Sequence, residues 1–407
     1  MRLVYRFEIK EREDIKRLCK ISNNLYNQAL YIFRETISNS NEWLFYSDLD
    51  KIMKSTENLE GDINYRLLKA QCSQQILKVL DQDIRSYLKS IKDYKKNPSK
   101  YKGKPELPSY KKRGGLFNLC YTNQCCSIKD KQIVLSKDIR IDIPQYESYG
   151  NDMEGFNQVR VIPSRKGFSI EIIYEKKETK KELNKEKYVS IDLGIDNLAT
   201  LVSEDFVSIY SGRFIKSMNR KFNKTLSELK SIKDKQGIKK STKRIKRLYD
   251  KRDRYLHDVF HKISKKIIDI LIENNIGNLV VGYNRGWKQN VNMGKKNNQK
   301  FTYIPFARLI SKLRYKCEMN GINFEINEES YTSKCDSLAF EKIGKHDSYL
   351  GRRSKRGLFK SSVGKLINAD VNGAVNILRK VVGDSDVVHR IIDIGLLFNP
   401  VRIKSVF

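Results

Sequence analysis

Apolar and polar residues alternate through Val189-Ser190-Ile191-Asp192-Leu193, the period of a strand with one buried face. That period sets Asp192 opposite the apolar row, near the strand's end. Gly194 follows, where a backbone can turn or be approached closely. Residues 198–203 and 206–210 repeat the strand pattern across short turns, an antiparallel meander with a carboxylate at its first tip. On this stretch alone an ordinary surface Asp closing a strand is the simpler reading.

Upstream, residues 1–9 alternate as a strand, and 15–38 reads as a helix with Ile15, Leu18, Leu25, Ala29 and Phe33 on its apolar side. A second helix is expected over 63–94, where Leu67, Ala70, Ile76, Leu77, Leu80, Ile84 and Leu88 recur at helical intervals. Residues 95–113 interleave Lys and Pro with Tyr101 and Tyr110. This is an extended basic connector that suits phosphates and stacked bases, or else a solvated linker. Short alternating runs between 116 and 177 predict a small barrel or wedge-like β domain that takes in the first strand. Residues 179–187 read as a charged linker.

Downstream, 214–275 is helical and very basic, with Lys243 and Lys246 on faces that suit a duplex or water equally. His257 and His261 are four apart, and Asp253 continues the spacing. Ligands stacked along one straight helix do not surround an ion, so both read as core or surface histidines. A buried strand at 279–283, a polar loop to 303, a helix over 305–319 closed by Gly321 and a strand at 324–329 follow. After a basic loop, Asn368 caps a final helix with Asp370 in its first turn.

Composition narrows the partner. The 407 residues carry 80 Lys and Arg against 48 Asp and Glu, a net +32 that favours a polyanion, nucleic acid first. A membrane is not expected as partner, since no apolar run reaches the ~18 residues of a spanning helix and no signal peptide is visible. Seven irregularly spaced cysteines suit reduced thiols of a cytosolic protein. Separated acids at a strand tip, a strand end and a helix start suit a two-metal phosphodiesterase. Asp192 would bridge both ions and Asp370 would complete the second site, with the third acid open.

Ser190-Ile191-Asp192-Leu193-Gly194, Tyr331-Thr332-Ser333-Lys334 and Asn368-Ala369-Asp370-Val371-Asn372 resemble the RuvC-I, pre-finger and RuvC-III motifs of the TnpB family. These are RNA-guided nucleases of insertion sequences, related to small type V CRISPR effectors. Gln71-Cys72-Ser73-Gln74-Gln75 and the connector after it resemble that family's recognition lobe. The resemblance implies an α/β multidomain chain. Its parts would be a wedge β-barrel (1–12 and 106–180), an inserted helical recognition lobe (13–105), an RNase H-like (RuvC) nuclease core (186–332 and 366–390), a degenerate zinc-finger-like insertion (333–365) and a C-terminal tail (391–407). It implies two Mg²⁺ ions, with Mn²⁺ as a substitute, and a guide RNA, either an ωRNA or crRNA-like. It further implies a double-stranded DNA target cut beside a short adjacent motif, in the bacterial cytoplasm or nucleoid. Nucleic-acid contacts are expected at Gln74, Gln75, Tyr101, Tyr110, Lys111, Lys112, Lys243, Lys246, Arg352, Arg353, Lys355 and Arg356.

Two positions depart from the family pattern. Where most members carry the RuvC-II glutamate, this chain has Gly282. In an RNase H-like sheet the next strand lies beside that position. Parity along Phe324-Glu325-Ile326-Asn327-Glu328-Glu329 puts Glu329 on the polar face, so Glu329 is the expected third acid and Glu328 the fallback. The family's finger usually holds zinc with two Cys-x-x-Cys pairs, but only Cys335 lies between Tyr331 and Asp370. One cysteine and His346 make no tetrahedral site, so no zinc is expected. A nuclease-dead guided DNA binder that represses transcription stands as the alternative, kept open by Gly282.

Overall fold

The computed structural model describes residues 1–136, 139–147, 153, 155–176, 180–284, 304–393 and 395–403. The chain divides into two compact units, Met1–Lys177 and Glu178–Phe407.

In the first unit β1 (Arg2–Lys10) precedes helices α1 (Glu13–Ser40), α2 (Tyr46–Met53) and α3 (Ala70–Lys96). Strands β2 (Leu119–Thr122), β3 (Ser127–Lys129), β4 (Gln132–Val134), β5 (Arg140–Asp142), β6 (Phe156–Ser164) and β7 (Gly167–Glu175) follow. They form a four-stranded antiparallel sheet ordered β1-β7-β6-β2 and a small β3-β4-β5 sheet. Where the alternation predicts a small barrel or wedge-like β domain, the described residues form these two ladders. Ile15, Leu25, Ala29 and Phe33 of α1 pack with Ile76, Leu80 and Ile84 of α3 and with Val159, Ile170 and Ile172 of the sheet in one core. Helix α3 starts seven residues later than the periodicity predicts, and Leu67 is exposed. Polar anchors hold the preceding turn instead: Asn64 donates to Gln28 Oε1 (2.9 Å), Tyr65 to Asp50 Oδ1 (2.7 Å), and Ser73 Oγ to the Tyr65 carbonyl (2.8 Å).

The second unit is built on a six-stranded sheet. Its strands are β8 (Asn184–Asp192), β9 (Asn197–Ser203), β10 (Val207–Ser211), β11 (Ile276–Gly282), β12 (Asn323–Asn327) and β16 (Val401–Ile403), ordered β12-β11-β8-β9-β10-β16. Strands β12, β11 and β8 run parallel, β9 and β10 complete the meander antiparallel, and β16 joins β10 in parallel. Part of the expected tail is therefore an edge strand. The charged linker also shortens, because β8 begins at Asn184. The Asn278 amide donates to the Lys185 and Lys187 carbonyls (2.6 and 3.0 Å), which satisfies the irregular pairing there.

Helices α4 (Arg213–Lys235), α5 (Lys243–Glu273) and α6 (Phe306–Asn320) precede a hairpin of β13 (Arg352–Lys355) and β14 (Leu358–Lys360), and then β15 (Leu366–Asn368), α7 (Ala369–Val382) and α8 (Asp386–Asp393). Gly321 ends α6 at φ +74°, the left-handed cap its position predicts. The polar loop expected before residue 303 lies mostly outside the described residues. The two faces of the sheet meet different partners. Val189, Ile191, Leu279 and Val281 pack with α5 and α6 residues such as Phe260, Ile263 and Leu309. Ser190, one residue out of phase, donates to the Ala374 carbonyl of α7 (2.7 Å). The polar face of β8 is thus covered by a helix.

Candidate active site

Asp192 ends β8 on the face that α7 covers, partly buried. The helix admits it because Gly373 has no side chain: a Cβ there would stand 2.8 Å from Asp192 Oδ2. One turn earlier on α7, Asp370 follows Asn368, whose Oδ1 accepts the backbone N–H groups of Asp370 (2.9 Å) and Val371 (3.4 Å). Asn197, at the start of β9, donates its amide to Asp370 Oδ2 (2.7 Å). Glu329 lies two residues beyond β12, where its N–H donates to Asn284 Oδ1 (3.0 Å). Its Oε2 would be 3.2 Å from a Cβ at Gly282, and Ile377 Cδ1 would be 2.3 Å from that Cβ. The volume beside Gly282 is therefore already filled by Ile377 and approached by the Glu329 carboxylate. Glu328 is exposed and accepts from the Ser330 hydroxyl.

These placements have an electrostatic cost. Burial first, then the neighbouring Asp370 and Glu329 charges, push the Asp192 carboxyl well above the usual carboxylate range, with Arg353 opposing. Burial raises Glu329 to about 7 against the opposing charge of Lys380. The nearby cations Arg353 and Lys380 thus offset only part of the cost of placing the Asp192 and Glu329 carboxyls here. Among the described residues no group of three Asp, Glu, His or Cys side chains stands in the arrangement of a ready metal site.

Arg353 reaches this face from the basic hairpin. Arg356 pairs with Asp196 (2.6 Å), which also holds Lys216 (2.5 Å), and Ala369 N–H donates to the Gly357 carbonyl (3.1 Å). Arg352, Arg353, Lys355 and Arg356 are all exposed, as are Lys243 and Lys246 on α5. In the first unit Lys112 is exposed, and Gln74 and Gln75 are half-buried. Three of the expected contacts there are engaged within the chain. Tyr101 donates to Asp93 (2.7 Å), Tyr110 lies under the Arg34 guanidinium (5.0 Å), and the Lys111 ammonium lies over the Tyr26 ring (4.2 Å). His257 and His261 meet ring to ring at 4.5 Å.

The insertion after the third acid is closed without a cluster of thiols. Buried Cys335 faces the Lys342 and Gly344 carbonyls (3.6 and 3.7 Å), and His346 meets the Lys342 carbonyl (2.7 Å), so these residues do not fit a zinc ion. Fully buried Asp336 takes the central place. Its Oδ2 accepts from Ser361 Oγ (2.8 Å) and from Ser362 N and Oγ (2.7 and 3.0 Å), and its Oδ1 from Leu338 N (3.2 Å). Asn372 and Asn376 of α7 both donate to the Cys335 carbonyl (2.9 and 2.8 Å), which ties this loop to the helix carrying Asp370. Sequence reasoning missed Asp336, Asn197 and the two asparagines. The asparagines did leave a signal, polar residues one turn apart inside an apolar stripe.

Residues 171–288 match the family OrfB_IS605, a probable transposase, and residues 306–377 match the Cas12f1-like TNB domain. The chain is 26% identical over 206 residues to the TnpB-like protein ORF457 of Acidianus two-tailed virus, a match covering 48% of this chain and 42% of that protein. It therefore spans less than half of that relative's length. The fold is similar to that in the cryo-EM structure of a Cas12f1–sgRNA–target DNA complex, with a TM-score of 0.55 at 16% identity over 90% of this chain and 82% of that one.

Between pH 4.5 and about 7 the folded protein holds a proton on Glu329 that the unfolded chain has lost, so stability falls as pH rises through that window. In chelator, the melting temperature of Glu329→Gln should fall less than the parent's across this range, and parallel curves would remove Glu329 from the buried cluster. Asp336→Asn should destabilise the protein by about 2–4 kcal/mol in thermal unfolding, while a zinc chelator leaves the parent's melting temperature unchanged. A chelator-induced loss of structure would contradict the zinc-free reading of the insertion.

Proposed function

We propose, from the premise that this chain belongs to the TnpB-like family, that it is an RNA-guided DNA endonuclease. It would bind a guide RNA and cut complementary double-stranded DNA beside a short adjacent motif. What supports this reading is the approach of three carboxyl groups to one side of the six-stranded sheet: Asp192 Oδ2 against Gly373 of α7, Asp370 one turn earlier on that helix, and Glu329 Oε2 beside Gly282. Partly buried carboxylates close to one another are a donor set of hard oxygens suited to Mg²⁺ or Mn²⁺. When bound, two such ions would supply an activated water and charge stabilisation at the scissile phosphate.

In that role Asp192, Asp370 and Glu329 would hold the ions, Glu329 in place of the absent acid at 282. Asn197 would orient the Asp370 carboxylate through its 2.7 Å hydrogen bond. Arg353, exposed beside the acids, would draw the DNA phosphate toward them. The remaining hairpin cations and the exposed lysines of α5 would track the nucleic-acid backbone.

Gly282 also supports a second reading, a guided DNA binder without nuclease activity that acts as a repressor. The two readings separate on one assay. RNA that copurifies with protein expressed from its own locus is sequenced, and matched plasmid is then incubated with the complex in Mg²⁺. Cleavage should fall more than about a hundredfold in Asp192→Ala and in Glu329→Gln, with RNA binding intact, while Glu328→Gln stays near the parent. Binding of matched DNA without any cutting by the parent would favour the repressor reading.

A further inference from the structure

The helical part of the first unit carries a groove of about 590 Å³, lined by Trp43, Tyr87, Leu88, Ile91, Tyr94, Lys95 and Lys104. Four of these come from one stripe of α3, at intervals that keep Tyr87, Leu88, Ile91 and Tyr94 on one face. Trp43 comes from the segment between α1 and α2, and Lys104 from the basic connector after α3. The rings are braced from behind. Trp43 meets Phe33 edge-on (5.7 Å, 69°) and lies nearly parallel to Tyr87 (6.3 Å, 13°), and Tyr94 meets Tyr101 edge-on (5.7 Å, 81°).

The lining is chemically one-sided: aromatic faces, two aliphatic side chains and two exposed ammonium groups, with no carboxylate. A cationic ligand would find no counter-charge there. A flat ring joined to an anion would find both a stacking surface and a partner for its charge. Such a ring reaches a protein groove when a base leaves its stack, and every base presents a π face. The connector that supplies Lys104 continues through Lys111, Lys112 and Arg113, so a strand could run from the groove along further positive charge.

We propose that this groove receives one unpaired base of a nucleic-acid strand, stacked on Tyr87 and Tyr94 beside Trp43, with its phosphate on Lys95 and Lys104. The proposal rests on the reading of the chain as a nucleic-acid binder, and is independent of whether it cuts.

Trp43 reports on it directly, because the chain has two tryptophans and Trp287→Phe leaves one. The full-length Trp287→Phe protein is titrated with oligo-dT, oligo-rU and an abasic strand of equal length. Fluorescence and gel shift are read together. A saturable quench is expected with a base-bearing strand, the stronger arm identifying DNA or RNA, and little quench with the abasic strand. Tyr94→Leu should weaken base-bearing strands about 5- to 100-fold. Lys104→Glu should weaken all strands and reduce the salt slope by about one. Trp43 itself stays unchanged, since it packs on Phe33, and melting curves confirm that the variants fold. Saturable binding without a Trp43 response, an equal quench by the abasic strand, or an unchanged Tyr94→Leu protein would overturn the groove and leave the nucleic-acid reading standing. Absence of any gel shift by the parent would overturn both.

Discussion

Like charges held on one covered face are the constraint around which the second unit is arranged. Asp192 lies against α7 at Gly373, where a Cβ would stand 2.8 Å from its Oδ2. Burial alone would push that carboxyl toward its neutral form, and Asp370 and Glu329 push it further. Cores do not gather acids in this way for stability, because an uncompensated buried charge costs several kcal/mol. Strain of this kind clusters where chemistry is done, and a divalent cation is the simplest group that would convert mutual repulsion into shared attraction.

The same face shows how a missing side chain can be accommodated. At Gly282 the strand offers no acid, and Ile377 of α7 fills the vacated volume. Glu329 reaches the region from the neighbouring strand's end, held there by the hydrogen bond from its N–H to Asn284. The insertion follows a similar logic. With one buried cysteine and no thiol pair, the loop is centred on Asp336, a single carboxylate that accepts four hydrogen bonds.

What was legible in the sequence depended on periodicity and on caps. The two-residue period of β8 fixes which face Asp192 takes, because a strand cannot turn one side chain without turning its neighbours. Glu329 lies past the end of β12, where parity no longer binds, and its position depends on the hydrogen bond to Asn284. Gly321 and Asn368 are readable as helix ends from their residue types alone. The late start of α3 was not legible, since it depends on Asn64 and Tyr65 finding partners far away in sequence. Nor were the partners of Tyr101 and Lys111, or the close approach of Gly373 to Asp192, which exist only once separate elements have packed. Residues 184–187 look like a linker by composition, and pairing with β11 together with the Asn278 amide makes them a strand.

The central claim is that Asp192, Glu329 and Asp370 grip the same cations. The most direct test replaces Mg²⁺ with Fe²⁺ and maps the protein backbone cuts made by the hydroxyl radicals it generates with ascorbate and peroxide. The account expects cuts in three separated segments, around residues 192, 329 and 370, suppressed together by excess Mg²⁺. Cutting confined to one or two of these segments, or unaffected by Mg²⁺, would contradict it.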